Sequence, residues 1–263
     1  MHKELRAPCS PVTHAAGLAS TEGSRRWHVR RWGAVLALIC AVSVTPAVNA
    51  AGIPPDQQYS LRDVNTQHQA LALTFDISWG TVMPPKVFHI LVHDHVPATI
   101  FVSGPWAEQH AALVRAFHQA GMEVESHGWT HVNYSSLSVG GIQANLSRAG
   151  TVIEHITGVR PTFVRPPNGD FDRRSLRVTR DSGYTTVTWG TDSLDWMNPG
   201  VGHIIDRVLQ RAHPGDIVLL HASDTCKQTD LALPTIIRQL RRRGYALVTL
   251  GNLLKLGTPI YRG

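Results

Sequence analysis

Residues 70–80 read Ala70-Leu71-Ala72-Leu73-Thr74-Phe75-Asp76-Ile77-Ser78-Trp79-Gly80 (ALALTFDISWG). A short apolar run that ends in a carboxylate and then in a glycine turn predicts a buried β-strand with a charged residue at its tip. The same form recurs outward along the chain. Further β-rich runs stand at 98–102 (ATIFV), 122–126 (MEVES), 162–165 (TFVR), 184–189 (YTTVTW), 216–220 (DIVLL) and 245–250 (YALVTL), seven in all with 70–75. Between them lie segments of helical period, such as Ile142, Leu146, Ala149, Ile153 and Ile156, or Leu233, Ile236, Ile237 and Leu240. Strands alternating with helices imply parallel pairing through right-handed crossovers, an α/β fold. Seven β-runs fit a slightly incomplete (β/α) barrel better than an eight-stranded one. In either a barrel or an open α/β sheet, functional residues gather just past the carboxyl ends of the strands.

Those places hold the most chemically loaded residues. The first strand runs into Asp76, the third into Ser126-His127-Gly128-Trp129-Thr130-His131, and the fourth into Arg165-Pro166-Pro167-Asn168-Gly169. The fifth leads to Asp192-Ser193-Leu194-Asp195-Trp196, and the sixth ends in Leu219-Leu220-His221. His127 and His131, four apart at a strand end, have a spacing that presents two imidazoles to one divalent ion. Asp76 is either a buried acceptor or a general base or ligand. An Asp such as Asp195 against His221 would hold one tautomer and raise its pKa, making an acid near neutral pH. Arg165 before two prolines sits in a stiff turn that aims its guanidinium and the following N–H groups in fixed directions, suited to an oxyanion. Trp79, Trp129 and Trp196 belong to the same loops and offer flat apolar faces for sugar rings. Arg241-Arg242-Arg243 follows a helix's apolar face and complements its carboxyl end, so no ligand is assigned to it.

The formal net charge of the 263 residues is +6. Its location excludes a nucleic-acid partner. The first 50 residues hold six basic and two acidic residues, and the rest hold 19 basic against 17 acidic. Arg25 to Arg31 precedes the apolar run Gly33 to Val48 and the small residues of Val48-Asn49-Ala50, the pattern of an export signal cleaved after Ala50. The run is shorter than the ~20 residues that a membrane span needs, so membrane contact is expected only through an uncleaved signal. Residues 1–50 are thus read as signal peptide or anchor, 51–67 as a polar linker and 68–255 as one domain. The expected location is the cell envelope or the medium. Past residue 50 the only cysteine is Cys226, which leaves no intramolecular disulfide.

Taken in order, TFD, SHGWTH, RPPNG, DSLDW and LLH resemble the five motifs of the polysaccharide deacetylases that share the NodB homology domain, carbohydrate esterase family 4. The resemblance covers roughly residues 68–251, and the TFDISWG form is most similar to the sporulation-type, PdaB-like branch. It implies a distorted (β/α)7-type barrel and metal-assisted hydrolysis of N-acetyl groups on a polysaccharide of GlcNAc or MurNAc type, such as peptidoglycan or chitooligosaccharide. By matching motifs, Asp76 is the general base, His127 and His131 bind a divalent metal (Zn, Co or Mn), and Arg165 braces the base. The backbone N–H of Asn168 helps hold the oxyanion, Asp195 orients the acid His221, and Leu219 lines the acetyl pocket. The family usually has a second aspartate, the third metal ligand, where Ile77 stands. Ile77 cannot bind metal and the hydroxyl of Ser78 is a weak substitute, so a tightly held zinc is not expected. The family often has an aromatic residue at the place of Asn168, which affects only the side-chain wall. The alternative reading is a catalytically impaired glycan-binding protein that keeps the cleft.

Overall fold

The computed structural model describes residues 59–262. The expected export signal lies outside these residues. Strand β1 (Ser60–Asn65) is followed by β2 (Ala70–Ile77), α1 (Met83–His93), β3 (Thr99–Val102), α2 (Gly104–Gln109), α3 (Ala111–Gln119) and β4 (Glu123–Ser126). Next come α4 (Val139–Thr157), β5 (Phe163–Val164), α5 (Arg173–Asp181), β6 (Thr185–Thr186), β7 (Thr191–Asp192) and α6 (Val201–Arg211). The chain ends with β8 (Ile217–His221), α7 (Thr229–Arg242), β9 (Ala246–Leu247), α8 (Leu250–Leu253) and β10 (Thr258–Arg262).

The main sheet runs β6-β5-β4-β3-β2-β8-β7, with β9 also on β2, and every pairing in it is parallel. This is the expected α/β architecture, a curled sheet of (β/α)7 type. All seven sequence-read runs contain a strand. The run at 184–189 is the start of one bent stretch whose first residues pair with β5 and whose last, as β7, pair with β8. The chain between them crosses the seam of the barrel.

β2 explains how one strand serves both layers. Leu71, Leu73, Phe75 and Ile77 pack with the helices, in a layer that includes Val87 and Leu91 of α1 and Ile236 and Leu240 of α7. The alternate residues Ala70 and Ala72 belong to a second cluster with Phe101, Ile217 and Leu250. A residue on each face of a doubly buried strand must be apolar, which is why the run reads as continuous rather than alternating. Asp76 is the exception at its tip.

The linker expectation for 51–67 needs correcting in its described part, because Ser60–Asn65 is β1, antiparallel to β10. This pair patches the seam. Leu61 and Val64 are buried, the Leu61 carbonyl accepts from Thr188 N–H at 2.8 Å, and Val64 N–H donates to Gly215 at 2.9 Å. The domain accordingly begins before residue 68 and continues past 255. Among the described residues no helix is long and apolar enough to cross a membrane.

Candidate active site

The carboxyl ends of β2, β4, β5, β7 and β8 bring the expected residues to one rim, around a cleft of about 350 Å³. Asp76, Ser78, Trp79, His131, Asn168, Leu219, Trp196 and His221 are among its walls. Arg165, His127 and Asp195 are buried directly behind that wall.

Asp76 is held from behind. Arg165, fully buried on β5's end, donates from Nη1 to Asp76 Oδ1 at 2.8 Å and from Nη2 to the Thr188 carbonyl at 3.0 Å. Its guanidinium lies over the Phe101 ring, 4.3 Å from the centroid. Burial alone would push the Asp76 carboxyl up, but the charges of Arg165, His127 and His221 outweigh it and hold the group below the usual carboxylate range. Asp76 is therefore an ionised carboxylate near neutral pH, with Oδ2 unused by Arg165.

His127 has a fixed tautomer. Its Nδ1 donates to the Arg165 carbonyl at 2.7 Å, which leaves Nε2, 3.8 Å from Asp76 Oδ2, as the lone-pair nitrogen. Burial pushes this imidazole down to about 4, so it is neutral, the form that binds metal. His131 packs edge-on to it with ring centroids 5.4 Å apart, and Trp79 closes on the other side of His131 at 5.2 Å. The loop that carries both histidines is tied to α4. Asn145 accepts from Trp129 N–H at 2.6 Å and donates to Thr130 Oγ1 at 2.9 Å.

Beside Asp76, on the neighbouring strand β8, stands a second pair. Asp195, fully buried, accepts from His221 Nδ1 at 2.7 Å through one oxygen. Its other oxygen accepts from His221 N–H at 2.8 Å and Thr229 Oγ1 at 2.7 Å. The His221 tautomer is thus set, with Nε2 directed away from Asp195. Burial works against a charged imidazole here, yet the charge and hydrogen bond of Asp195, with the charge of Asp76, raise His221 above the ordinary histidine value.

The residues present fit a divalent ion, weakly. Ile77 is fully buried on the helix face of β2, opposite to Asp76, so neither its chemistry nor its facing offers a ligand. Ser78 returns to the cleft side, and its Oγ is a buried oxygen with no hydrogen-bond partner. Asp76, His127, His131 and that hydroxyl make a donor set with a single carboxylate. Among the described residues, the three-residue groups with ligand atoms within 4.8 Å of one another are Asp195–His221–Cys226 and Asp63–His213–Asp216. Asp76, His127 and His131 are spaced more loosely.

Two aromatic assignments change. Trp129 does not line the cleft. Its indole packs on Gly104, where a Cβ would lie 2.2 Å from its ring, and carries the Arg148 guanidinium 3.9 Å from a ring centroid. Trp189 takes the wall position instead, beside Gly169, Asp192, Thr225 and Cys226. It is the last residue of the run at 184–189, so the rule that strand ends carry function points to it as well as to Trp196. Asn168 has φ 59°, a left-handed conformation after Pro166-Pro167, and its side chain donates to Asn133 at 2.7 Å.

Residues 63–187 match the family model described as "Polysaccharide deacetylase". The peptidoglycan-N-acetylglucosamine deacetylase of Bacillus cereus is 30% identical over 200 residues, covering 75% of this chain and 93% of that protein. The Bacillus subtilis protein YlxY is 29% identical over 80% of this chain, which spans 64% of YlxY's length. Among solved structures, a pseudoenzyme of carbohydrate esterase family 4 from Bacillus anthracis superposes with a TM-score of 0.70 at 29% identity, covering 75% of this chain and 69% of that one. A variant of that pseudoenzyme, described as having restored enzymatic activity, matches with the same TM-score at 30% identity, covering 75% of this chain and 72% of that one. With the motif residues gathered on one barrel rim, these likenesses establish that the chain belongs to the polysaccharide deacetylase family.

Proposed function

We propose that this protein is an exported, metal-assisted hydrolase that removes N-acetyl groups from a polysaccharide of GlcNAc or MurNAc type, peptidoglycan or a chitooligosaccharide. The single observation that carries the reading is a pair of proton carriers set side by side on neighbouring strands at one cleft, Asp76 backed by Arg165 and His221 backed by Asp195. Amide hydrolysis needs both: a base to take a proton from water and an acid to give one to a poor leaving group. Asp76 takes the proton as the water oxygen bonds to the acetyl carbon. His221 gives its proton to the nitrogen as the C–N bond breaks, releasing acetate and the free amine. His127 and His131, with Asp76 and Ser78 beside them, would hold a divalent ion, which when bound would supply polarisation of the carbonyl and acidity of the water. The N–H of Asn168 in the stiff turn adds an oxyanion donor, Leu219 meets the acetyl methyl, and Trp79, Trp189 and Trp196 provide faces for the sugar. Export rests on the charge and apolar pattern of the first 50 residues.

One observation favours a second reading, a glycan-binding protein with impaired turnover: Ile77 fills the place of a ligand and points into the helix layer. The likeness to a pseudoenzyme supports it. Acetate release from chitooligosaccharides and peptidoglycan, with Zn²⁺, Co²⁺ or Mn²⁺ added, separates the two. The expected result is release that requires added metal. No release with any metal, alongside retained glycan binding, sinks the enzyme reading. Ile77→Asp sharpens the assay. An unpaired carboxylate in the apolar layer costs several kcal/mol, so the new side chain is driven out toward Asp76 and the cleft. The expected outcome is about tenfold tighter metal retention, in line with adding an anionic ligand, together with a lower urea midpoint. Unchanged metal content would show that position 77 is not the weak point.

A further inference from the structure

At the amino-terminal end of β8, the other end of the strand from His221, three side chains able to ligate metal meet from β1 and from the turn that leads into β8. Asp63 comes from β1, His213 from the turn between α6 and β8, and Asp216 stands just before β8. One ligand atom of each lies within 4.8 Å of the others. Their hydrogen bonding is incomplete. Asp216 Oδ2 accepts from Thr191 Oγ1 at 2.6 Å, but its Oδ1 is buried with no hydrogen-bond partner, and so is Asp63 Oδ1. Asp216 is fully buried and Asp63 is 8% exposed.

The neighbouring cations do not close this gap. His213 Nε2 is 3.4 Å from Asp63 Oδ1 and its Nδ1 is 3.7 Å from Asp216 Oδ2. Arg62 Nε is 3.7 Å from Asp63 Oδ2, and the guanidinium donates to the carbonyls of Trp189 and Gly190. Both unpartnered oxygens turn toward one face of Gly190. A Cβ there would lie 1.9 Å from Asp63 Oδ1 and 2.4 Å from Asp216 Oδ1. Glycine thus keeps open the space on which two carboxylate oxygens converge beside an imidazole. Buried acceptors without a hydrogen bond are rare, and two of them in one place leave room for a cation beside His213.

We propose that Asp63, Asp216 and His213 form a second divalent-metal site, structural in role, which clasps β1 to the barrel seam. The mixed imidazole and carboxylate set suits a first-row ion such as Zn²⁺ or Mn²⁺ better than Ca²⁺ or Mg²⁺. The three ligands come from β1 and from the single turn that leads into β8, so an ion there cross-links the seam pair to the main sheet and stabilises the folded state alone. The competing arrangement is an ion triad in which a protonated His213 answers both carboxylates.

The test uses the full chain carrying His127→Ala and His131→Ala, so that metal held in the cleft does not contribute. Zinc content after dialysis and thermal unfolding with and without Zn²⁺ are measured, with near-UV circular dichroism confirming each fold. The expected result is about one zinc per chain and a Tm raised by Zn²⁺, both lost on adding His213→Gln at its half-exposed position. Asp63→Asn provides a second variant with the same expected loss. Absence of retained zinc, or zinc and Tm effects that survive both substitutions, overturns the site and leaves the triad.

Discussion

The neighbouring strands β2 and β8 bring to the cleft two pairs built from the same parts in opposite order. On the β2 side a carboxylate, Asp76, faces the cleft and a cation, Arg165, stands behind it. On the β8 side the ionisable imidazole of His221 faces the cleft and a carboxylate, Asp195, stands behind it. The buried member decides the proton state of the exposed one. Arg165 favours the charged form of Asp76, which can accept a proton, whereas Asp195 favours the protonated form of His221, which can give one. A further asymmetry follows the same division of labour. Asp195 has both oxygens engaged by three donors, as a scaffold should, while Asp76 accepts from Arg165 through Oδ1 and keeps Oδ2 toward His127 at 3.8 Å.

Breaking the front member of the β2 side has the largest expected effect. Asp76→Asn removes the base and is expected to lower the rate of acetate release about 10³-fold or more. It also leaves Arg165 buried without its carboxylate, which costs about 3–5 kcal/mol and is read from urea unfolding. A variant with unchanged turnover would take Asp76 out of the chemistry.

Breaking the rear members sharpens the comparison further, because the two substitutions act on opposite limbs of the pH profile. Activity needs Asp76 ionised and His221 protonated, so it is lost as pH falls through the first group's value and as it rises through the second's. Asp195→Asn withdraws the charge that raises His221, so the alkaline limb moves to lower pH and kcat at neutral pH falls about 10²-fold. Arg165→Met withdraws the charge that depresses Asp76, so the acidic limb moves to higher pH. If either variant lost activity with an unmoved profile, its rear residue would be a packing element rather than a setter of proton state.

The barrel was legible where burial forces a simple pattern. Central strands such as β2, covered on both faces, are mostly apolar, and their apolar runs stand out. β1 and β10 lie outside that rule. Ser60–Asn65 has only two apolar residues, Leu61 and Val64, spaced three apart, and Thr258–Arg262 contains a proline, so both read as loop although they seal the seam. The site residues were legible because parallel strands deliver their last residues to one rim whatever the loop does next. Trp129 shows where that argument ends. Position in a motif fixes where the backbone goes, but the direction of the indole depends on Gly104 and Arg148, which are distant in sequence and meet it only in three dimensions. Ser78 is the converse case. Strand alternation puts it on the side of Asp76 rather than of Ile77, so its place on the cleft wall can be read from periodicity alone.

The smallest change tests whether the scaffold on the β8 side is graded or all-or-none. Thr229→Val removes one of the three donors to Asp195 while keeping its charge and its bond to His221 Nδ1. A hydrogen bond to a charged group contributes about 1.5–3 kcal/mol, but the two His221 donors remain to hold the carboxylate in place. The electrostatic effect of Asp195 on His221 is then preserved, and only the precision of its aim is lost. A few-fold drop in kcat with KM and the alkaline limb unchanged is the expected signature. A shift of the limb as large as that of Asp195→Asn would mean that Thr229 holds Asp195 in register, and that the β8 side is as intolerant of a lost support as the β2 side.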